Sequence, residues 1–192
     1  LDNRGILSGY AEMIKHALIQ SDEEWEKIIS FSIENIDYKN LNELVFRSVG
    51  IKRDIVDKDP FEKNIRKALN LGHTTAHAFE SFAMSKANPI AHGYAVAWGI
   101  IVELYLSHRL CGFPKEKLQR TVRFIHKNYG AFLITCDNYE ELIEITRHDK
   151  KNQGNTVNFT LLSDTGNVQI DQTCDKEMFF EALDFYRDSV GL

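Results

Sequence analysis

Cysteine is scarce and poorly placed for chemistry. The 192 residues hold three, Cys111, Cys136 and Cys174. The number is odd and no C-x-x-C spacing occurs, which argues against a disulfide framework and a thiolate metal site and fits a reducing cytoplasm. Proline is as rare, with three residues, and the 11 glycines are scattered. No linker, repeat or low-complexity stretch divides the chain, so residues 1–192 read as one domain. A G-x-G cluster able to cradle a pyrophosphate is also missing, so no dinucleotide fold is expected within it. The longest uncharged run, Ala87 to Val102, contains Asn88, Pro89 and His92 and ends at Glu103. It is too short and too interrupted to span a bilayer. Excess positive charge is lacking too. The net charge of −5 disfavours binding to a nucleic-acid backbone. The first residue is Leu1 rather than methionine, so the chain is expected to be processed or to be an excerpt of a longer polypeptide.

What is present is the composition of a soluble globular protein. Hydrophobic residues make up 43% and charged residues 27%. That is enough apolar material for one sizeable core and argues against disorder.

The periodicity is mostly helical. Ser8 to about Ile19 reads as a first helix. Ser21 and Glu24 form an S-x-x-E capping box that opens a second, running to about Ile36. A third amphipathic pattern runs from Leu41 to Val56 and stops before Asp59-Pro60. Asn64 to Met84 reads as a fourth helix and Gly93 to Leu110 as a fifth. Cys111-Gly112-Phe113-Pro114 ends the fifth with glycine and starts the next with proline. Lys115–Tyr129 and Tyr139 to about Arg147 are two more. The period then changes to alternation in Thr156–Leu162 and Val168–Asp171, around the turn chemistry of Ser163–Asn167. These predict a hairpin whose loop is longer than two residues. A last helix spans about Asp175 to Ser189. The fold class is mainly α, a multi-helical domain with one small β-hairpin near the C-terminus.

The fourth helix carries the most information. Arg66, Asn70, His73 and His77 are spaced by four, three and four, which on a continuous helix places them within an arc of roughly 60°, with Glu80 near its edge. From Ala68 to Met84, Glu80 is the only Asp, Glu, Lys or Arg. A solvated face of that length normally carries Lys and Glu. This stripe carries Asn and two His, which donate and accept in fixed directions and need partners, a metal or an anion if buried. His92 opens the strongly apolar fifth helix. On its own it reads as a residue bonded to backbone at a helix start, and beside His73 it offers a second nitrogen ligand. Glu12 of the first helix, with Lys15 and His16 one turn on, reads in isolation as half of a surface ion pair. Two His and one carboxylate are the ligand set of an open Zn²⁺ site and equally of non-haem Fe(II). A zinc there acts as a Lewis acid on a hydroxyl or carbonyl oxygen.

Three blocks, Ser8-Gly-Tyr-Ala-Glu12-Met-Ile-Lys15, Leu69-Asn-Leu-Gly-His73-Thr-Thr-Ala-His77-Ala-Phe-Glu80 and His92-Gly-Tyr-Ala-Val, resemble the C-terminal domain of 3-dehydroquinate synthase, a sugar-phosphate cyclase of the shikimate pathway. The resemblance runs from the first residues to the hairpin. It implies metal ligands at Glu12, His73 and His92, with Zn²⁺ or another divalent ion such as Co²⁺ or Fe²⁺. It implies substrate contacts from Lys15, Lys52, Arg66, Asn70 and His77, with Lys15 and His77 as the catalytic pair. Lys52 and Arg66 would hold the substrate carboxylate and Asn70 and His77 its phosphate, helped by Lys150 or Lys151. Members of the family use NAD⁺ to oxidise one alcohol of 3-deoxy-D-arabino-heptulosonate 7-phosphate. The ketone acidifies the neighbouring proton, phosphate leaves, the ketone is reduced again, and the ring opens and recloses by aldol addition. The family usually has Glu where Tyr94 sits and Gly where Ala76 sits. The resemblance also implies that the NAD-binding N-terminal domain is absent from this chain. On that reading the chain is the metal- and substrate-binding half of a longer cytoplasmic enzyme, inactive alone. Its partners would be a sugar phosphate and the N-terminal domain, with a homodimer allowed and neither nucleic acid nor membrane involved.

Three other readings compete. One is a related cyclase acting on another sugar phosphate. Another is an HD-type metal-dependent phosphohydrolase, for which His148-Asp149 would be the dyad, although it runs into Lys150-Lys151. The last is a non-catalytic helical scaffold, in which the histidine stripe would be a set of satisfied interior groups.

Overall fold

The computed structural model describes residues 3–147 and 157–191. His148, Asp149, Lys150, Lys151 and Thr156, each singled out above, lie outside the described residues.

Helix α5 (His92–Cys111) is the axis of the domain. Ile100, Ile101, Val102, Leu104 and Leu106 are fully buried, together with Val96 and Ala97. A helix apolar on every face must be covered on every face. The cover comes from α1 (Asn3–Gln20), α4 (His73–Ser85), α6 (Lys115–Tyr129), α8 (Lys176–Asp188) and strand β1 (Asn158–Asp164). Each brings an apolar stripe at helical spacing, such as Ala11, Ile14 and Leu18 on α1 or Phe79 and Phe82 on α4. Helices α2 (Asp22–Ile29) and α3 (Tyr38–Lys58) lie against α1, and α7 (Tyr139–Arg147) lies against α4. No described helix is long and apolar enough to cross a membrane.

The chain is mainly helical with one antiparallel hairpin, as its periodicity predicts, and three local expectations need correction. Helix α2 is opened by Ser21, whose side chain accepts the Glu24 N–H, but it ends at Ile29, not near Ile36. Ser30 Oγ bonds back to the Glu26 carbonyl at 2.6 Å, an alternative to continued helix that serine readily takes. Ile33 and Ile36 still pack on the core, but from an irregular segment. In the hairpin, β1 pairs with β2 (Asn167–Thr173), and the turn holds only Thr165 and Gly166. Lys117 Nζ binds Asp164 at 2.7 Å and Thr165 at 3.0 Å, anchoring the turn just past a register shift between Leu162 and Asp164. Gly166, at φ +79, supplies the left-handed residue the turn needs and donates its N–H to the Leu18 carbonyl at 2.8 Å.

The third correction matters most. Residues 64–84 do not form one helix. A 3-10 turn covers Ile65–Asn70, Leu71 is extended, Gly72 is left-handed at φ +80, and α4 begins at His73. Two carboxylates from elsewhere cause the break. Asp59 accepts the N–H groups of Lys63, Asn64 and Arg66, which winds the chain into a tight loop. Glu103 of α5 accepts those of Gly72 and Thr75. Arg66 and Asn70 therefore do not share a helix face with His73 and His77, and the 60° arc does not exist.

Candidate metal centre

Each of the three candidate ligands comes from a different helix. Glu12 lies mid-way along α1, His73 is the first residue of α4 and His92 is the first residue of α5. One ligating atom of each lies within 4.8 Å of the others. Glu12 Oε1 is 3.4 Å from His73 Nε2 and 3.9 Å from His92 Nε2. The close crossing of α1 and α5 makes this possible. Gly93 N–H donates to Ser8 Oγ at 3.1 Å, and a Cβ at Gly93 would lie 2.1 Å from the Ser8 carbonyl oxygen.

The hydrogen bonds around the rings decide which nitrogen faces the centre. His73 Nδ1 lies 3.2 Å from the Leu71 carbonyl, which can only accept, so Nδ1 carries the proton. Burial pushes the His73 pKa below its ordinary value, more than the nearby Glu12 carboxylate raises it. With Nδ1 turned to that carbonyl, Nε2 is the ring nitrogen that faces Glu12. His92 Nδ1 lies 3.1 Å from Glu80 Oε1, which likewise leaves its Nε2 facing Glu12. A carboxylate or carbonyl behind each imidazole is the usual support of a metal-ligating histidine. Glu12 Oε1 is buried and has no hydrogen-bond partner among the described residues. Burial raises the Glu12 pKa, but His73 and the Lys15 ammonium outweigh it and hold the carboxyl well below the usual range. One carboxylate oxygen and two imidazole nitrogens thus face one another, the two-histidine, one-carboxylate set that suits a divalent cation. The donor set fits such an ion.

The surface ion-pair reading of Glu12 does not hold. Its partner Lys15, bonded to Oε2 at 2.7 Å, is buried. His16 is buried as well and sits 2.7 Å from Ser48 Oγ. Burial, with Lys15 nearby, pushes its pKa down to about 3, so it carries no charge for Glu12 at neutral pH.

The centre opens into a cleft of about 400 Å³ that Lys15, Lys52, Arg66 and Asn70 also line. Sequence spacing placed Arg66 and Asn70 there for a geometric reason that fails. The Asp59 loop and the 3-10 turn bring them to the same cleft by another route. His77 stands one helical turn beyond His73, with its ring centroid 5.9 Å from that of His73 and 6.4 Å from that of His92.

Sequence reasoning missed three carboxylates around the cleft. Glu62 lines it and accepts from Asn70 Nδ2 at 2.7 Å. Asp59 shapes the loop, and only its place before a proline drew notice. Glu103 is fully buried, and the available signal was a lone charge in an apolar helix. The N–H groups of Asn64, Lys63 and Arg66 outweigh burial and hold the Asp59 carboxyl below its usual range. A depressed folded-state value stabilises the loop above the unfolded aspartate pKa of about 3.9, and the effect is lost as pH falls through the folded-state value. Asp59→Asn is therefore expected to lower the urea midpoint at about pH 7, and the difference from wild type to narrow at about pH 3.

The fold is shared with part of two solved synthases, each about twice the length of this chain. The structure superposes on 2-epi-5-epi-valiolone synthase from Streptomyces hygroscopicus, solved with NAD⁺ and Zn²⁺ bound, with a TM-score of 0.80 at 18% identity over 98% of this chain and 52% of that one. It superposes on 2-deoxy-scyllo-inosose synthase, solved with carbaglucose-6-phosphate, NAD⁺ and Co²⁺, with a TM-score of 0.75 at 21% identity over 96% and 51%. The chain belongs to the 3-dehydroquinate synthase C-terminal family, whose sequence profile matches residues 9–152. The 3-dehydroquinate synthase of Parabacteroides distasonis is 54% identical over 192 residues, covering 100% of this chain and 54% of that protein. That of Leptospira interrogans is 37% identical over 185 residues, covering 95% and 50%. The chain thus spans about half the length of these curated relatives.

Proposed function

We propose that the chain is the metal- and substrate-binding half of an enzyme that converts 3-deoxy-D-arabino-heptulosonate 7-phosphate to 3-dehydroquinate with loss of phosphate. The observation that carries this reading is the convergence of Glu12, His73 and His92, one ligating atom from each, at the head of a cationic cleft. Its named relatives support the choice of substrate. When bound by these three residues, a divalent cation supplies Lewis acidity to the alcohol that is oxidised. The nicotinamide cofactor belongs with the part of the full-length protein outside this chain.

The side chains divide the substrate between them. Lys52 and Arg66 fix its carboxylate, and Arg66 suits a planar anion because its guanidinium donates in a fork. Asn70 is steadied by Glu62, and with His77 it holds the phosphate. Lys15, bonded to Glu12 beside the centre, exchanges a proton with the substrate oxygen in this reading. Two cations and an amide on separate elements fix one orientation of the sugar, the main contribution a cleft of this kind makes to rate.

Full-length protein supplied with NAD⁺ and zinc should form 3-dehydroquinate, and a chelator should stop it. The 192-residue chain alone should bind about one zinc and turn over nothing. Turnover by the chain alone, or a folded chain with no zinc affinity, overturns the reading. Turnover of a different sugar phosphate in preference replaces the substrate but keeps the centre. Arg66→Ala in the full-length protein is expected to raise KM roughly 10- to 100-fold with zinc content unchanged. Loss of zinc in that variant would contradict the division of labour.

A further inference from the structure

Glu103 is the only acidic or basic side chain of α5 between His92 and His108, and it is fully buried. Its Oε2 accepts the Gly72 N–H at 2.6 Å and its Oε1 accepts the Thr75 N–H at 3.0 Å. These are N–H groups at the start of α4, the helix whose first residue is His73. Helix α4 has no cap of its own. Its N-cap is Gly72, and its first turn holds no acidic residue. The cap therefore comes from another helix, as a full negative charge at the positive end of the α4 dipole. The two helices also touch at backbone level here, since a Cβ at Gly99 would lie 2.1 Å from the Gly72 carbonyl oxygen. At the other end of their contact, Glu80 of α4 holds His92 of α5 at 3.1 Å. Helix α4 is thus tied to α5 at two points, each by a carboxylate, and His73 and His77 stand between the ties.

We infer that Glu103 is a positioning residue for the cation centre, which sets the direction of His73 by locking the first turn of α4 onto α5. The inference rests on the metal reading above. Glu103 is not among the residues that line the cleft. It acts through two backbone N–H groups that flank His73 in the chain. Glu103→Gln keeps the shape but leaves an amide donor against one of those donors, so the first turn of α4 rotates or frays.

The probe is Co²⁺, read by titration and by its visible absorption, with far-UV circular dichroism as the check on folding. Wild type is expected to bind Co²⁺ and Glu12→Ala to lose it. Glu103→Gln is expected to stay folded, to bind Co²⁺ about 10- to 100-fold more weakly, and to show a shifted visible band when saturated. A purely structural role would leave the band of the saturated protein in place. A folded Glu103→Gln with the affinity and band of wild type overturns the inference and leaves the metal reading standing. Failure of wild type to bind Co²⁺ at all overturns both.

If Glu103→Gln does not fold, wild type itself supplies the test. Coupling is reciprocal, so a lock that favours the ion is tightened by it to the same extent. Saturation with Zn²⁺ should slow amide exchange at Gly72 and Thr75 by about 10- to 100-fold, with the amides of α6 as the control. Unchanged exchange at both positions overturns the inference.

Discussion

Replacing Glu12 with glutamine is expected to weaken zinc binding by a factor on the order of 10² to 10³ while the chain stays folded. Oε1 faces the Nε2 atoms of both histidines and no hydrogen-bond donor, so its interaction with an ion is not in competition with a bond inside the protein. Glutamine keeps the volume and removes the charge. It also brings an amide N–H₂ that can donate to the His73 lone pair and so satisfy the acceptors without an ion. Glutamine is the informative replacement because alanine does two things at once. Alanine also takes away the carboxylate 2.7 Å from the buried Lys15, and should cost about 1–3 kcal/mol of stability besides. Competition titration against a chromogenic chelator measures the first effect, and urea unfolding separates the second. Zinc affinity unchanged in Glu12→Gln would remove the carboxylate from the centre.

Gly93→Ala is expected to have the largest effect on the fold. The new methyl would lie 2.1 Å from the Ser8 carbonyl oxygen and 2.4 Å from the Ser8 Cα. Both are backbone atoms, so no rotamer relieves the contact and α1 must move away from α5. Overpacking of this kind costs about 3 kcal/mol or more, corresponding to a fall in Tm of about 6–12 °C for a chain of this size. The displacement also falls where it matters chemically. Glu12 is one turn on from Ser8, and His92 immediately precedes Gly93, so the same movement separates two candidate ligands. Loss of zinc should therefore accompany the loss of stability. Gly9→Ala is the control. No atom lies within 4 Å of a Cβ there, and the residue is exposed inside a helix. It should raise stability by roughly 0.5–1 kcal/mol. A Gly93→Ala variant that melts with wild type would show that the two helices are farther apart than described here.

These expectations show which parts of the molecule were legible in its sequence. Helices α5, α6 and α7 and the position of the hairpin follow from periodicity, because their ends are marked by local chemistry such as Gly112 and Pro114. Helix α2 was read too long because Ile33 and Ile36 keep a helical spacing past Ser30. The break at Gly72 was missed for a different reason. The spacing of Arg66, Asn70, His73 and His77 suits an uninterrupted helix, and the groups that interrupt it are the carboxylates of Asp59 and, 31 residues beyond Gly72, of Glu103. Local pattern carries no information about a partner so far along the chain. The same limit applies to the centre. Nothing in the spacing of Glu12, His73 and His92 requires them to meet. Their association came from resemblance to a family, and the structure adds the hydrogen bonds that turn both Nε2 atoms toward one carboxylate.

The contact of Ser8 with Gly93 joins residues 85 positions apart. During synthesis α1 therefore leaves the ribosome long before the helix that covers it. At about 5–20 residues per second the interval is roughly 4–17 s. Throughout it Ile14 and Leu18, completely enclosed in the finished molecule, face solvent on a nascent chain. The tight crossing that brings three candidate ligands together also gives this polypeptide a long vulnerable period before folding, when a holding chaperone has the most to grip.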